Sequence, residues 1–347
     1  MFFAPKSKGF FLDCTEHTLL LARTSAVVPP MVIEEVREFA TDDEAGLAEA
    51  LKQMQPQKIG SYLQAVCGVC PARRVVRRVT LDLKRVREAG YLNEIAQQQL
   101  RIEPDQHVLM LLHPTDGTEY DLSAATQKDV IICGLPSDEV ITLQDRLLKS
   151  GLYPDRLELV TLAIIGGLAD YLNFTKIKTP ALVLEMAGDN TQSFIVSGAG
   201  LEASRVIPQG FDGMIPVVQK ELNLKDEESA RKLFSSNAFD FTGMAPLLVR
   251  KLLKELQSSI GFYEVQTGQS IGQVICPALP PKLMWLEDAI AGQLGVPVLK
   301  PDLPGWLQSR QITLAETVPA AAQDARRLGL FGLMAQYPRH AAVSDKV

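Results

Sequence analysis

Cys67-Gly68-Val69-Cys70 has the spacing of half a zinc knuckle or of a redox pair. A knuckle needs a second Cys or His pair at similar spacing, and His107 and His113 stand six apart with no Cys beside them. A redox pair wants a helix N-terminus to lower one thiol's pKa, whereas this segment runs on into the β-branched stretch at Val75-Val76. Buried structural cysteines are therefore the expectation, with metal or redox chemistry as the alternative. The full set (Cys14, Cys67, Cys70, Cys133 and Cys276) is odd in number, which argues against an extracellular disulfide framework. A second charged feature, Arg73-Arg74-Val75-Val76-Arg77-Arg78, reads as a strand edge or rim, the alternative being a contact with a membrane surface or an acidic partner.

The elements that must carry these groups fall into a repeated pattern. Gly9–Leu12 and Thr18–Ala22 form a β-hairpin with a polar tip, Asp13 to His17. A helix spans Thr41–Gln53, a strand Val75–Leu83, a short helix Asn93–Leu100 and a buried strand Val108–Leu112. The strand Val130–Cys133 is broken by Gly134-Leu135-Pro136, and Ser137 caps a helix with Val140, Leu143 and Leu147 on one face. A more apolar helix follows over Leu157–Tyr171. After Thr179-Pro180 the hairpin recurs, with strands Ala181–Met186 and Gln192–Val196 around the turn Ala187–Asn190. Helices follow at Ile215–Leu222, from the cap Asp226 through Phe234, and from Pro246 along Leu248, Leu252, Leu256 and Ile260. A strand at Val274–Cys276, a helix closed by Gly295 and a short strand at Val296–Val298 complete the second half. The duplication implies two α/β lobes.

With 347 residues the chain is too long for one small core, and its 46% hydrophobic and 22% charged residues are those of a folded globular protein. A net charge of −6 argues against a nucleic-acid binder. The most apolar stretch, Leu159–Ala169, falls well short of the ~20 residues a membrane span requires. Asp13 interrupts any signal-like run after Met1-Phe2-Phe3, so a cytoplasmic protein is expected.

Several segments, in order and spacing, resemble the PilM family of type IV pilus assembly proteins, relatives of FtsA in the actin-like ATPase superfamily. They are Val130 to Val140, Leu148 to Leu159, Arg205-Val206-Ile207-Pro208-Gln209-Gly210, Leu256 to Tyr263, Leu294 to Pro301 and Leu328 to Met334. The resemblance runs from about 9 to 335 and is weakest over Met54–Arg78. It implies an actin-like (ribonuclease H-like) α/β fold. A first lobe would span 1–178 with an inserted subdomain at about 75–129, and a second 179–335 with a small helical subdomain at about 226–270. A flexible tail would follow at 336–347.

The resemblance also places the superfamily's nucleotide elements, and each is altered. The first loop, Asp-x-Gly-Ser-Ser in the family, keeps Asp13, but Thr15 stands at the glycine, Glu16 adds a negative charge, and Leu20 replaces a Lys. The second, Asp-x-Gly with a later Thr, has Glu185 for the Asp and Ala187 for the glycine, and retains Gly188 and Thr191. A Gly-Gly beneath the adenosine becomes Pro277-Ala278, and Ala-Glu-x-x-Lys becomes Ala230-Arg231-Lys232-Leu233-Phe234. Phosphate cradles need glycine for close backbone approach and free N–H donors, and magnesium needs well-placed carboxylates. The expectation is a pseudo-ATPase without cofactor, Asp13 and Thr191 serving as turn residues that bond their own backbone; the alternative is ATP with magnesium. The family further implies a scaffold that is peripheral at the inner face of the bacterial inner membrane. It would bind the cytoplasmic N-terminal segment of a PilN-like membrane protein, with other pilus platform proteins or a second copy as further partners. Its groove would lie beside the insertion, where Val76, Val79 and Leu81 alternate suitably, though a core strand explains them too. An actin-like ATPase switch and the L-type cytoplasmic component of a type II secretion system are the rival functions.

Overall fold

The computed structural model describes residues 8–15, 18–55, 62–236, 238–319 and 324–344, with side chains as far as Gln336. Expectations that rest on Met1-Phe2-Phe3, Glu16, His17 and the side chains of 337–347 lie outside the described residues.

The chain divides into two compact units, 1–174 joined by 302–347, and 175–301. The first unit opens as a meander of β1 (Gly9–Cys14), β2 (Thr18–Thr24) and β3 (Met31–Ala40), all antiparallel. Helix α1 (Glu44–Met54) follows, its N-terminus capped by the Asp43 carboxylate, which accepts from Gly46 N. Then β4 (Leu63–Val69) pairs parallel to β1. An insertion comes next: β5 (Val75–Thr80), the short helix α2 (Tyr91–Ile95), β6 (His107–Leu112) and β7 (Asp129–Pro136). Its strands make a separate antiparallel sheet in the order β5-β7-β6. The chain returns through α3 (Ser137–Lys149), β8 (Leu152–Leu159) and α4 (Val160–Thr175).

The second unit repeats the meander with β9 (Ala181–Met186), β10 (Thr191–Ser197) and β11 (Gly200–Ile207). Five helices follow in chain order around one further strand. They are α5 (Ile215–Glu221), α6 (Glu227–Phe234), α7 (Ala245–Leu248) and α8 (Arg250–Thr267), then β12 (Gln273–Ile275) and α9 (Trp285–Leu294). Its sheet runs β11-β10-β9-β12, and β12 is parallel to β9 as β4 is to β1. The last elements, α10 (Leu303–Ser309), β13 (Ile312–Leu314) and α11 (Leu328–Ser344), belong to the first unit.

That return corrects the expected second lobe of 179–335. Segment 302–335 goes home because β13 extends the first sheet, pairing parallel to β3 to give β13-β3-β2-β1-β4-β8, and α11 packs on β1 and β4. A half-buried ion pair fastens it: Arg310 donates twice to the buried Asp170 carboxylate of α4, at 2.6 and 2.7 Å, and Trp306 Nε1 donates to the same carboxylate. The tail expected at 336–347 is helical through Ser344.

Other corrections have local causes. The insertion extends to Pro136, since all of β7 pairs within its sheet. Gly134 does not break that strand: it faces Val75 on one side and Leu109 on the other, and Pro136 sits at the final position, where a missing N–H costs nothing. Ser137 is the first helical residue and makes no side-chain cap; Pro136 precedes it. Leu157–Leu159 belong to β8, in register with Cys67–Val69. Helix α8 starts only after a break at Val249. The segment expected as a helical subdomain, 226–270, shares one core with the second sheet through Ala230, Phe234, Leu252 and Leu256.

Candidate functional site

In the first turn, Thr15 N–H donates to Thr18 C=O at 2.9 Å, and Thr18 N–H donates to Thr15 Oγ1 at 3.1 Å. Thr15 thus closes the hairpin on itself, as a turn hydroxyl does. Asp13, at the end of β1, is 1% exposed. Its carboxylate lies against the first turn of α11, where a Cβ on Gly329 would come within 2.5 Å of Oδ2. A carboxylate at a helix N-terminus meets the positive end of the dipole, so Asp13 serves the packing of α11. Leu20, at the position of the family's Lys, is buried in β2.

The second turn is closed by its neighbour in the chain. Phe211 N–H donates to Ala187 C=O at 2.9 Å and Asp212 N–H to Gly188 C=O at 2.7 Å. Thr191, fully buried, donates its hydroxyl to Gln209 C=O at 2.6 Å. Gly210 makes this approach possible: a Cβ there would collide with Ala187 O and lie 2.6 Å from Gly188 O. The Asp212 carboxylate stands over Gly188, 2.8 Å from where its Cβ would be, and is ion-paired to Arg231. Glu185 is buried in β9.

Pro277-Ala278 follows β12. Just before it, Cys276 N–H donates to the Glu287 carboxylate of α9 at 2.5 Å. Burial, with the Glu287 charge beside it, pushes the Cys276 thiol well above its ordinary range. Lys232 pairs along its own helix with Glu228 at 2.6 Å.

Cys67 lies in β4 and Cys70 one residue past its end. Burial pushes the Cys67 thiol up to about 12, the opposite of what a redox thiol requires. No three His, Cys, Asp or Glu side chains among the described residues are grouped to hold a metal ion. The basic run sits on the edge strand β5. Arg77 curls back to donate to Val76 C=O, Arg78 pairs with Asp129, and Arg73 pairs with Asp138 and Glu139.

Val76, Val79 and Leu81 are all at least 95% buried, so they line no open groove; Val79 and Leu81 join Tyr91, Ile95, Tyr120 and Ile132 in the core of the insertion. The open surface lies on the far edge strand. A cleft of about 510 Å³ is walled by Arg73 ahead of β5, by Ile102, Gln106 and His107 of the insertion and by Pro136, Ser137 and Asp138 at the start of α3. The latter two walls continue as apolar surface. β6 leaves the cleft at His107 and presents Val108 and Met110, 50% and 48% exposed, while Ile141, one turn beyond Ser137, is 60% exposed. Helix α3 packs against β6 and β7. Sequence reasoning took Val108–Leu112 for a buried strand. The absence of any charge in His107–Leu112 is the one signal that could have marked β6 as a binding edge. Asp212 and Gly329 carried no signal, since each acts through a neighbour distant in the chain.

No helix among the described residues is long and apolar enough to cross a membrane. No family model matches the chain, and no curated protein does. Among solved structures, PilM of a PilM–PilN type IV pilus biogenesis complex is 18% identical, with a TM-score of 0.64 over 95% of this chain and 99% of that one. The cytoplasmic domain of EpsL, an inner-membrane component of the type II secretion system of Vibrio cholerae, is 11% identical over 96% of this chain and 95% of that one, at a TM-score of 0.43. The ethanolamine utilization protein EutJ from Carboxydothermus hydrogenoformans is 10% identical over 96% and 91%, also at 0.43. With the paired meanders and the inserted sheet, the first of these likenesses gives the chain the actin-like α/β fold in the form that PilM has.

Proposed function

We propose that this chain is a PilM-like scaffold of a type IV pilus assembly platform, peripheral at the inner face of the bacterial inner membrane. It binds the cytoplasmic N-terminal segment of a PilN-like membrane protein and hydrolyses no ATP. The observation that carries the binding is the apolar edge strand β6 running out of the cleft, with Val108 and Met110 open to solvent and Ile141 of α3 exposed one turn beyond Ser137. An extended apolar peptide seats its side chains on such a surface. Arg73, Asp138 and Glu139 at the start of α3 give it a polar rim.

Three features support a scaffold without nucleotide. Asp13 is committed beneath Gly329, the Ala187 N–H is taken by Asn190 C=O with the Asp212 carboxylate standing over Gly188, and the Cys276 N–H is taken by Glu287. Phosphate binding needs open N–H groups at a glycine turn. Two titrations test the reading. A peptide from the cytoplasmic N-terminus of a PilN-like protein should bind the wild type and lose about tenfold or more in affinity to Met110→Asp, as expected for an apolar anchor. Unchanged binding would remove the groove from the proposal. Millimolar Mg-ATP should give neither heat nor a rise in melting temperature; micromolar binding would replace the scaffold with an ATP-gated switch.

A further inference from the structure

The insertion's sheet runs β5-β7-β6, so β5 and β6 are both edges. Antiparallel strands bond at alternate residues, and each residue turns its N–H and C=O to the same side. The outer side of β6 is identified at its end, where Tyr120 N–H donates to Leu111 C=O and His113 N–H to Thr118 C=O, each at 2.8 Å. Leu111 and Leu109 therefore turn their backbone groups away from β7, while Val108, Met110 and Leu112 bond across to Leu135, Cys133 and Ile131. His107 shares the outer side, and its N–H is taken by Pro104 C=O. What is left is the His107 C=O, both backbone groups of Leu109 and the Leu111 N–H. None of these has a hydrogen-bond partner among the described residues.

An open row of backbone donors and acceptors is a template for another strand, and the two edges treat that row differently. On β5 the bonds to β7 fall at Val75, Arg77 and Val79, so Val76 C=O faces outward, and Arg77 Nη1 caps it at 2.8 Å. Arg78 is ion-paired beside it to Asp129. Charged side chains of this kind blunt an edge. β6 has no Lys, Arg, Asp, Glu or Pro from His107 to Leu112. Val108 and Met110 flank Leu109 with about half their surface open, 50% and 48%. An arriving strand thus meets apolar side chains on one face of the sheet. On the other face Leu109 and Leu111 pack against the insertion's core.

We infer that β6 binds by strand addition: a partner segment enters next to β6, in the order β5-β7-β6-partner, and exchanges main-chain hydrogen bonds with His107 C=O, Leu109 and Leu111 N–H. The open row spans about 13 Å, room for about four or five extended residues. These are uncharged and lack an internal proline, because a charge would lie on Val108 and Met110 and a proline would withhold its N–H. Strand addition rests on the proposed binding of a PilN-like N-terminal segment and assigns part of its hold to the backbone. The test is an N-methyl scan of that peptide, titrated calorimetrically into the full chain. Methyl groups on alternate residues should each cost about tenfold or more in affinity, and those on the residues between them less than about threefold. In the complex, hydrogen exchange at the Leu109 and Leu111 amides should slow by about tenfold or more. Binding that tolerates N-methylation at every position, or amides of Leu109 and Leu111 that exchange as fast as in the free chain, would overturn strand addition and leave the groove to side chains alone. So would protection of both amides in the free chain as its concentration rises, which would give the edge to a second copy. A wild type that binds no such peptide would overturn the groove and its mode together.

Discussion

The turn after β1 and the turn after β9 hold the same place in the same meander, and each closes on its own backbone, Thr15 N–H to Thr18 C=O and Ala187 N–H to Asn190 C=O, yet they are covered by different means. The first is covered by side-chain packing: Asp13 sits under α11, an element that begins more than 300 residues later in the chain. The second is covered by backbone, through hydrogen bonds between 187–188 and 211–212 made possible by Gly210. A duplicated architecture therefore does not carry a duplicated device. A turn covered from afar depends on how the C-terminal segment returns, while a turn covered by its neighbour depends on a glycine.

The largest effect should be read at the cysteines beside the first turn. Cys67 pairs in register with Leu12, next to Asp13, and burial holds its thiol at about 12 against the ordinary 9.0. The thiolate is the reactive form, so labelling near pH 8 should run about a thousandfold slower than in the unfolded chain. Because the folded value is the raised one, the stability tied to this thiol is intact below pH 9 and falls as pH climbs from 9.0 through about 12. Rapid labelling at pH 8 would mean that the first turn opens, and the contrast with the second would be one of mobility.

Next in size is the fastening of the C-terminal return. Asp170→Ala leaves Arg310 to water and removes the acceptor of the buried Trp306 Nε1, which should cost about 2–3 kcal/mol in denaturant unfolding. A loss below about 1 kcal/mol would show that α10 and α11 are held by apolar packing alone.

The two glycines separate the mechanisms directly. Gly210→Ala drives a methyl group onto the backbone oxygens of Ala187 and Gly188, which cannot yield singly; about 3 kcal/mol is expected. Gly329→Ala meets the Asp13 carboxylate and a Val160 methyl group, side-chain ends that can turn aside, so about 1–2 kcal/mol should suffice. Equal losses, or the reverse order, would break the distinction between backbone and side-chain closure.

Why the hairpins that open each meander were legible, and the third strands Met31–Ala40 and Gly200–Ile207 and these closures were not, follows from range. Gly9–Leu12, Thr18–Ala22 and their counterparts after Thr179 are apolar runs around polar tips, a pattern complete within a few residues, and Asp226 caps α6 from the adjacent position. The PilM resemblance placed the fold as a whole. By contrast, β13 has three residues, and its membership of the first sheet is decided by β3, some 280 residues earlier. Val76, Val79 and Leu81 alternate as groove residues would, but alternation cannot tell a covered face from an open one. Here α2 covers Val79 and Leu81, and the apolar residues left open lie on β6. Arg231 was visible as a departure from the family's Glu, yet only the fold brings it to Asp212.

The smallest effect concerns that pair, and it decides what the second turn excludes. The Asp212 and Arg231 side chains are 46% and 54% exposed, so Asp212→Ala should change stability by no more than about 0.5 kcal/mol. The variant keeps Asp212's backbone N–H on Gly188 C=O, the bond that closes the turn. If backbone closure is what matters, inorganic phosphate should produce no heat with the wild type or with Asp212→Ala. If the variant alone binds phosphate, with Arg231 released as a cation beside Gly188, the carboxylate was keeping the anion out. The difference between the two turns would then be one of charge.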